Sequence, residues 1–112
     1  MTQLYRDALS GVGNIGLSPQ FGDGWVSSTC NIAFDRTVAE TAMRELASAG
    51  IDSRQWWSKG CHCEPAFSEY PRGDLSVTEE LSRRVLGVPF HEGLREDDIK
   101  RIVGVAAAAA QR

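Results

Sequence analysis

The stretch WVSSTCNIAF, residues 25–34, carries the clearest secondary-structure signal in this chain. Its side chains alternate between two faces, and a period of two is typical of a half-buried β-strand. One of these faces holds Val26, Ser28, Cys30, Ile32 and Phe34. Both ends of the stretch are apolar and its middle is polar. The sequence therefore predicts a strand over residues 25–34 with one face in the core.

Helical periodicity appears on both sides of this strand. Residues 1–10 repeat apolar side chains at a spacing of four and stop at a pair of glycines. Residues 37–49 open with a capping-box pattern, continue with an apolar stripe and stop at Gly50. A second capping box begins a helix at Ser76, and residues 96–110 combine an acidic first turn with an apolar stripe. Helices are predicted in these places.

Three further strands are predicted, over residues 15–17, 51–57 and 86–90, of which the last is a short apolar run. The order of the elements is typical of an α+β two-layer sandwich, a small and mainly antiparallel sheet with helices packed on one face. The irregular stretch 58–75 interrupts this order, and long loops inside small domains tend to be functional. The periodicity predicts the following core: Val26, Ile32, Phe34, Val38, Leu46, Leu81, Val85, Ile99 and Ile102.

The composition is that of one ordinary globular domain. The 112 residues are 42% hydrophobic and 24% charged, and a single core typically occupies about 50–200 residues. Twelve basic and fifteen acidic residues give a formal net charge of −3, with the two signs interspersed. Because no basic patch stands out, the charge pattern argues against nucleic acid as a partner.

The chain also lacks the signals of a membrane or secreted protein. Its longest apolar tract, residues 102–110, is well short of the roughly 20 residues of a membrane span, and no targeting segment opens the sequence. Three cysteines, Cys30, Cys61 and Cys63, are too few for a disulfide framework. We therefore expect a single cytoplasmic domain, residues 1–112, with reduced thiols and no membrane partner.

Residues 11–16, GVGNIG, match the spacing of the dinucleotide-binding fingerprint, but their context does not. In that fingerprint a strand leads into the glycines and a helix follows, so that the helix N-terminus holds the pyrophosphate. Here the predicted helix precedes the glycines and a turn follows them. The motif indicates a helix stop and a turn rather than a nucleotide site.

The tripeptide Cys61-His62-Cys63 brings together two thiols and an imidazole, all of which are zinc ligands. Structural zinc usually takes cysteine pairs with a wider spacing and a second pair of ligands elsewhere, for which only Cys30 and His91 remain. The spacing therefore disfavours zinc. Metal analysis of the purified chain tests this alternative.

Aromatic and charged side chains are unusually dense in a seventeen-residue stretch that is mostly loop. They are Arg54, Trp56, Trp57, Lys59, His62, Glu64, Phe67 and Tyr70. Aromatic rings beside basic groups suit a polar, planar or phosphorylated ligand. The alternative is that the tryptophans close the edge of the sheet and the charges are solvated. The residues alone leave these two interpretations equal.

Four motifs within residues 50–103 occur in the order found in one known family. GIDSR (50–54) resembles its G-I-[ED]-[ST]-R motif, and HCEPAF (62–67) resembles its H-x-Q-P-A-[FY] loop. LSRRVLGVPFH (81–91) and GLREDDI (93–99) are similar to the two segments that follow. The ordered series resembles the C-terminal small domain of the DegT/DnrJ/EryC1/StrS family, pyridoxal-phosphate-dependent aminotransferases that act on nucleotide-linked keto sugars.

The resemblance implies the small-domain fold of fold-type I aminotransferases and a role in polysaccharide or amino-sugar biosynthesis. In the full-length family enzyme, a homodimer, the Schiff-base lysine, the aspartate that pairs with the pyridine nitrogen and most phosphate contacts lie in a large domain. That domain is absent from residues 1–112, whose lysines are Lys59 and Lys100. The resemblance therefore implies that the isolated chain has no pyridoxal phosphate site and is inactive, and a monomer is an open alternative for it.

The resemblance also implies which residues face the substrate, because the small domain walls the active site in the family. The predicted contacts to the nucleotide sugar are Arg54, Trp57, Lys59, His62 and Tyr70. His62 is the first candidate for contact with the sugar or its diphosphate, and arginine or lysine suits a diphosphate through charge-assisted hydrogen bonds. No catalytic, cofactor-binding or metal-binding residue is predicted in this chain.

Two positions depart from the family pattern. Glu64 stands where glutamine is common, and Arg95 replaces the usual threonine or serine, which weakens that helix cap by about 1 kcal/mol. The alternative function is a stand-alone α+β binding or interaction module derived from such a domain. The DNA upstream of Met1 distinguishes the two, because an in-frame large domain with a lysine favours the aminotransferase.

Overall fold

A three-stranded antiparallel sheet forms the centre of the fold. The computed structural model describes residues 1–22, 24–56 and 58–112. The strands are β1 (Ile15–Leu17), β2 (Cys30–Phe34) and β3 (Val85–Val88). They lie side by side in that order, so β2 is central. Ile32 of β2 is opposite Leu17 on one side and Leu86 on the other.

Helices cover one face of this sheet. They are α1 (Thr2–Leu9), α2 (Ala39–Ser48) and α4 (Glu96–Ala110). The described residues also form α3 (Ser76–Ser82), which adds no side chain to this core, and one 3-10 turn at Cys61–Cys63. The side chains of Tyr5 in α1, Leu46 in α2 and Ile99 in α4 are fully buried. Within the described ranges, no helix has the length and apolar character to cross a bilayer. The predicted α+β two-layer sandwich is confirmed.

The core lies between these helices and the face of the sheet that carries Cys30, Ile32 and Phe34. The predicted core residues that are buried are Ile32, Phe34, Leu46, Ile99 and Ile102, and Val38 and Val85 are partly buried. Two core predictions are wrong, because Val26 is fully exposed and Leu81 is 46% exposed. Leu81 belongs to α3, whose seven residues include no buried side chain.

The strand predicted over residues 25–34 is half as long as its alternating pattern suggests. Ser27 forms local bonds instead, because its Oγ donates to the carbonyl oxygen of Thr29 at 2.5 Å and accepts from the Thr29 amide at 3.2 Å. A serine side chain that bonds its own neighbourhood competes with the hydrogen-bond ladder of a sheet. The alternation therefore continues into β2 only from Cys30 onward.

The strand predicted over residues 51–57 is reduced to a single bridge. Arg54 and Gly87 exchange two backbone hydrogen bonds, at 2.9 and 2.7 Å. The amide of Ser58 then donates to the carbonyl oxygen of Gln55 at 3.2 Å, which turns the chain away from the sheet. The sheet consequently has a fourth contact at one point rather than a fourth strand.

Neither predicted capping box forms. At the start of α2 the amide of Ala39 donates to the carbonyl oxygen of Arg83 at 3.0 Å, so a backbone group from elsewhere replaces the expected side chain. At the start of α3 the Asp74 carboxylate accepts from the Ser76 amide at 2.9 Å. That hydrogen bond lowers the pKa of Asp74.

The start of α4 is capped in spite of Arg95. Asp98 Oδ2 accepts a hydrogen bond from the backbone amide of Arg95 at 2.8 Å, which is the second half of a capping box. The same bond is the main reason why the pKa of Asp98 is lowered. The aspartate therefore satisfies the amide of Arg95, whereas the acceptor that threonine or serine would offer to the first-turn amides is missing at this position.

A thiol and a phenol lie buried in the core. Cys30 and Tyr5 are both fully buried, and Tyr5 Oη donates to the carbonyl oxygen of Pro89 at 2.5 Å. Burial raises the pKa of the Cys30 thiol to about 12 from an ordinary value of 9.0. Burial is also the main cause of the raised pKa of Tyr5, with Cys30 as the second cause.

The free energy of unfolding is expected to fall as the pH rises from about 9 to about 12. In this range the unfolded chain releases the Cys30 proton and the folded chain retains it, so a rising pH favours the unfolded state. Urea unfolding at about pH 8 and about pH 10.5 measures the fall, and Cys30→Ala should make it smaller. An unchanged fall in Cys30→Ala would contradict the assignment to this thiol.

Candidate functional site

Arg54 lies at the only point where the chain between α2 and α3 pairs with the sheet in the described residues. Its partner, Gly87, allows a close approach, because a Cβ at that position would lie 2.3 Å from Nε1 of Trp56. The Arg54 guanidinium is 6.0 Å from the centre of the Trp56 ring, which is cation–π distance. The bridge thus presents an exposed cation beside an aromatic surface.

His62 is held against α3. Its side chain is 7% exposed, and its Nε2 lies 3.1 Å from Oε1 of Glu79. Gly60 makes room for the ring with a φ of 111°, and a Cβ there would lie 2.6 Å from the imidazole. Arg72 Nη1 donates to the backbone carbonyl oxygen of His62 at 3.3 Å. The imidazole is therefore fixed in place by contacts on several sides.

The other predicted substrate contacts lie at the surface. Lys59 is exposed, and its carbonyl oxygen accepts a weak hydrogen bond from the Cys63 thiol at 3.7 Å. Tyr70 is exposed as well, and its ring centre is 6.2 Å from that of Phe67. Trp57 lies outside the described residues. The loop therefore combines one held imidazole with an exposed amine and an exposed phenol.

The zinc alternative gains no support from this arrangement. Cys61 and Cys63 are exposed, whereas the His62 ring between them turns to Glu79. In the part of the chain that the structure describes, no three histidine, cysteine, aspartate or glutamate side chains are grouped so that they could hold a metal ion.

A cavity of about 240 Å³ opens on the face of the sheet opposite the core. We call it the second-face cavity. Its walls include Asn31, Arg54, Trp56, Thr78, Leu81 and Gly87. Asn31 points to this side because it alternates with the buried residues of β2. Its side-chain oxygen is buried and has no hydrogen-bond partner. The cavity is thus mostly apolar with one unpaired acceptor.

A larger cleft of about 520 Å³ lies at the edge of the sheet, between the end of β3 and α4. We call it the edge cleft. Its charged lining residues are Asp52, Arg54, Asp98 and Arg101, and its polar and aromatic lining includes Ser53, Trp56 and His91. The Ser53 hydroxyl is buried without a partner. Charges of both signs and an aromatic wall suit a polar ligand with a planar part.

Arg54 and Trp56 lie between the second-face cavity and the edge cleft and line both of them. Lys59, His62 and Tyr70 are not on the walls of either one. The residues predicted to contact the substrate therefore do not all line one cavity. The structure places Arg54 at the sheet, and His62 in the turn that packs against Glu79 of α3.

Sequence reasoning missed several residues of this region: Asn31, Glu79, His91, Asp98 and Arg101. For Asn31 a signal was present, because the middle of the alternating stretch is polar where a strand is expected to be apolar. Glu79 was concealed by its fit to a capping box. His91 and Asp98 lie within motifs of the resemblance that were not connected with a ligand, and Arg101 carries no local pattern that distinguishes it from a solvated charge.

Known proteins resemble this chain over most of its length. The model of the DegT/DnrJ/EryC1/StrS aminotransferase family matches residues 1–106. A DegT DnrJ EryC1 StrS aminotransferase from Brucella abortus is 27% identical, with a TM-score of 0.76 over 99% of this chain and 30% of its own. No curated protein matches the chain.

Two more distant structures share the fold. DesI, solved in the presence of its TDP-sugar product, has a TM-score of 0.84 at 23% identity, over 99% of this chain and 30% of its own. The sugar aminotransferase CalS13 from Micromonospora echinospora has a TM-score of 0.74 at 19% identity, over 96% and 28%. This chain thus spans about 30% of the length of such proteins. On the match over residues 1–106, it belongs to the DegT/DnrJ/EryC1/StrS aminotransferase family.

Proposed function

We propose that this chain is the small domain of a pyridoxal-phosphate-dependent aminotransferase that transfers an amino group to a nucleotide-linked keto sugar. It contributes residues of the substrate pocket and not the lysine that reacts with the cofactor. The full-length enzyme acts in the cytoplasm, as a homodimer, in the biosynthesis of amino sugars or polysaccharides. The observation that carries this proposal is the family match over residues 1–106.

Exposed apolar side chains support the assignment to a small domain. They are Trp25, Val26, Trp56, Phe67, Tyr70, Val77 and Leu81. Val26 and Leu81 occupy positions where the sequence pattern predicts burial, yet both are exposed among the residues that the structure describes. Large exposed apolar groups typically mark an interface with another protein or domain. We assign Val26, Val77 and Leu81 to the contact with the large cofactor-binding domain.

Arg54 supports the assignment to a nucleotide sugar. Its backbone is fixed by the bridge to Gly87, so its exposed guanidinium starts from a defined position beside Trp56. A guanidinium presents a fork of donors that matches the oxygens of a diphosphate, and an aromatic face stacks on a sugar or a base. Lys59 adds a second exposed cation in the same segment of the chain.

The residues of this chain do not fit pyridoxal phosphate by themselves. Lys100 pairs with Glu96 at 2.7 Å on the exposed side of α4, and this contact raises the pKa of Lys100. A lysine that attacks a carbonyl must instead lose its proton easily, in a pocket that lowers its pKa. Lys59 is exposed. We therefore place the cofactor in the part of the enzyme outside residues 1–112.

Titration with a nucleotide sugar tests this function. Adding dTDP-glucose should shift the amide resonances of Arg54, Lys59, His62 and Tyr70, and Arg54→Ala should weaken binding by about tenfold or more, the range of a hydrogen bond to a charged group. Lys100→Ala is the matched control and should leave binding unchanged. Pyridoxal phosphate should give no specific internal-aldimine absorbance, and borohydride should trap no stoichiometric adduct at Lys59 or Lys100.

Two results would contradict the proposal. Shifts confined to residues far from Arg54, or no shifts at millimolar ligand, would remove the substrate-binding role. A stoichiometric borohydride-trapped adduct at Lys59 would show that this chain holds the cofactor itself.

The second candidate function is a stand-alone interaction module without a catalytic role. The observation that favours it is a core that closes within the chain, since Tyr5, Phe34, Leu46 and Ile99 are all fully buried. A module that folds alone needs no large domain. A native reading frame that encodes only these residues would favour this function.

A further inference from the structure

We infer that the second-face cavity receives one aromatic side chain of the large domain, which fills the space between α3 and the sheet. The occupant is uncharged and has the size of a single six-membered ring. This inference rests on the proposed function, because that function supplies the large domain. It concerns the docking of that domain and not the binding of the nucleotide sugar.

Polar contacts, rather than a buried apolar face, hold α3 beside the sheet. The seven residues of this helix include no buried side chain. Gln55 Nε2 donates a hydrogen bond to the carbonyl oxygen of Ser82 at 3.1 Å, and the ring of His62 lies 3.1 Å from the carboxylate of Glu79. These contacts fix the position of α3 but leave its apolar side chains without a covering surface.

The second-face cavity lies in the gap that results. Its lining includes residues of α3 and of the two neighbouring strands β2 and β3, namely Asn31, Thr78, Leu81, Val85 and Gly87. Leu81 is 46% exposed although its position in the helix predicts burial. A side chain inserted between α3 and the sheet would cover Leu81 and complete the packing of this helix.

The cavity has the size of one side chain. Its volume is about 240 Å³. An apolar cavity of about 150 Å³ is sufficient for a benzene ring, whereas pockets for drug-sized ligands typically measure about 300–1,000 Å³. The volume therefore suits a single ring and is too small for a nucleotide sugar.

The walls favour an aromatic and uncharged occupant. Leu81 and Val85 are aliphatic, and the indole of Trp56 lies against Gly87, where a Cβ would be 2.3 Å from its Nε1. Aromatic rings pack well against one another in offset or edge-to-face geometry. Arg54 is the one charged lining residue among those described, and it is exposed and also borders the edge cleft. Its charge disfavours a cation in the cavity.

Two observations indicate the large domain as the source of this side chain. This chain spans about 30% of the length of the related structures, so most of such a protein lies outside these residues. Leu81 lines the cavity and also belongs to the side chains assigned to the domain contact. Large exposed apolar groups typically mark an interface. The cavity is therefore continuous with the proposed contact between the two domains.

Toluene tests the cavity in the isolated chain, because it is an apolar ring of the inferred size. It should bind with a Kd of about 1 mM or less, within the range for a ligand of this size. The amide resonances of Thr78, Leu81, Val85 and Gly87 should shift. Benzylamine, a cation of similar shape, should bind about tenfold more weakly or worse, because its ammonium would be buried without a counter-charge.

Leu81→Asp and Val77→Asp form a matched pair of variants. Both place a carboxylate at an exposed apolar position of α3, but only Leu81 lines the cavity. Leu81→Asp should weaken toluene binding by about tenfold or more, and Val77→Asp should leave it unchanged. Circular dichroism checks that both variants keep the fold. No binding of toluene to the wild type, or equal binding to Leu81→Asp, would overturn the inference.

The source of the occupant is tested in the enzyme that contains the large domain. Its cavity should already be filled, so toluene should bind about tenfold more weakly or worse than in the isolated chain. The Leu81 methyl groups should show nuclear Overhauser effects to an aromatic ring outside residues 1–112. Equal toluene binding with and without the large domain would overturn the inference. Reduced toluene binding with no binding of dTDP-glucose would contradict the proposed function and support this docking site.

Discussion

Phe34→Ala is expected to lower the free energy of unfolding by about 3–5 kcal/mol, the range for truncating a buried phenylalanine. Phe34 is fully buried in the central strand β2, opposite Ile15 of β1. Its removal leaves a cavity between the sheet and the helices that cover it. Because small domains are stable by only about 5–15 kcal/mol, the variant should lie close to the limit of folding.

The expected loss of stability in Phe34→Ala comes from the missing ring and not from the backbone. Its amide donates to the carbonyl oxygen of Arg84 at 2.8 Å, and its carbonyl oxygen accepts from Nε of Arg84 at 2.8 Å. Neither bond involves the side chain, so alanine keeps both. Urea unfolding followed by circular dichroism measures the loss. Val77→Ala, at an exposed position of α3, is the control and should change stability by less than about 0.5 kcal/mol.

Gly87→Ala is expected to displace Trp56 and to destabilise the fold by about 1–3 kcal/mol, the range for overpacking. The new Cβ would lie 2.3 Å from Nε1 of Trp56 and 3.2 Å from the carbonyl oxygen of Arg54. The tryptophan ring must move, and the hydrogen bonds between Arg54 and Gly87 must lengthen. The indole N–H resonance of Trp56, assigned with Trp56→Phe, should shift together with the amide of Arg54.

Gly104→Ala provides the matched control for this substitution. A Cβ at Gly104 meets no heavy atom within 4 Å, and the residue lies inside α4. Alanine should therefore stabilise this helix by up to about 1 kcal/mol. Unchanged stability and an unchanged Trp56 resonance in Gly87→Ala would show that the ring does not lie against the strand.

The elements that the sequence predicts correctly are those whose pattern agrees with their local chemistry. The stripe of α4 is buried as predicted, because its apolar residues recur at helical spacing and Asp98 caps its start. The alternating stretch 25–34 is half correct. Its first part has the right period, but Ser27 diverts the backbone into local bonds, and period alone cannot show such competition.

The helix α3 shows where amphipathic spacing is insufficient. Leu81 recurs at helical spacing with Val77 and is predicted to be buried in the core, but both side chains are exposed. An amphipathic pattern predicts that a side chain will be covered by another surface. It does not show which surface will cover it. In these 112 residues the covered face of the sheet is already occupied by α1, α2 and α4.

The sequence predicts individual residues of the candidate site, but it does not predict how those residues are arranged in space. Arg54 and His62 follow from motifs of the resemblance. The structure fixes Arg54 at a backbone bridge and places His62 in a short turn against Glu79 of α3. Glu79 lies seventeen residues beyond His62. No local pattern connects residues so far apart, since their contact depends on how the intervening loop folds back.

The two faces of the sheet differ in energy, because one of them carries the unpaired side-chain oxygen of Asn31. Among the described residues, the helix-covered face buries no polar residue, so its contacts are mutually consistent. The other face carries a buried amide oxygen without a donor, which costs the folded state about 1–3 kcal/mol. The frustration of this small fold is therefore concentrated beside Arg54, where it borders the proposed site instead of weakening the core.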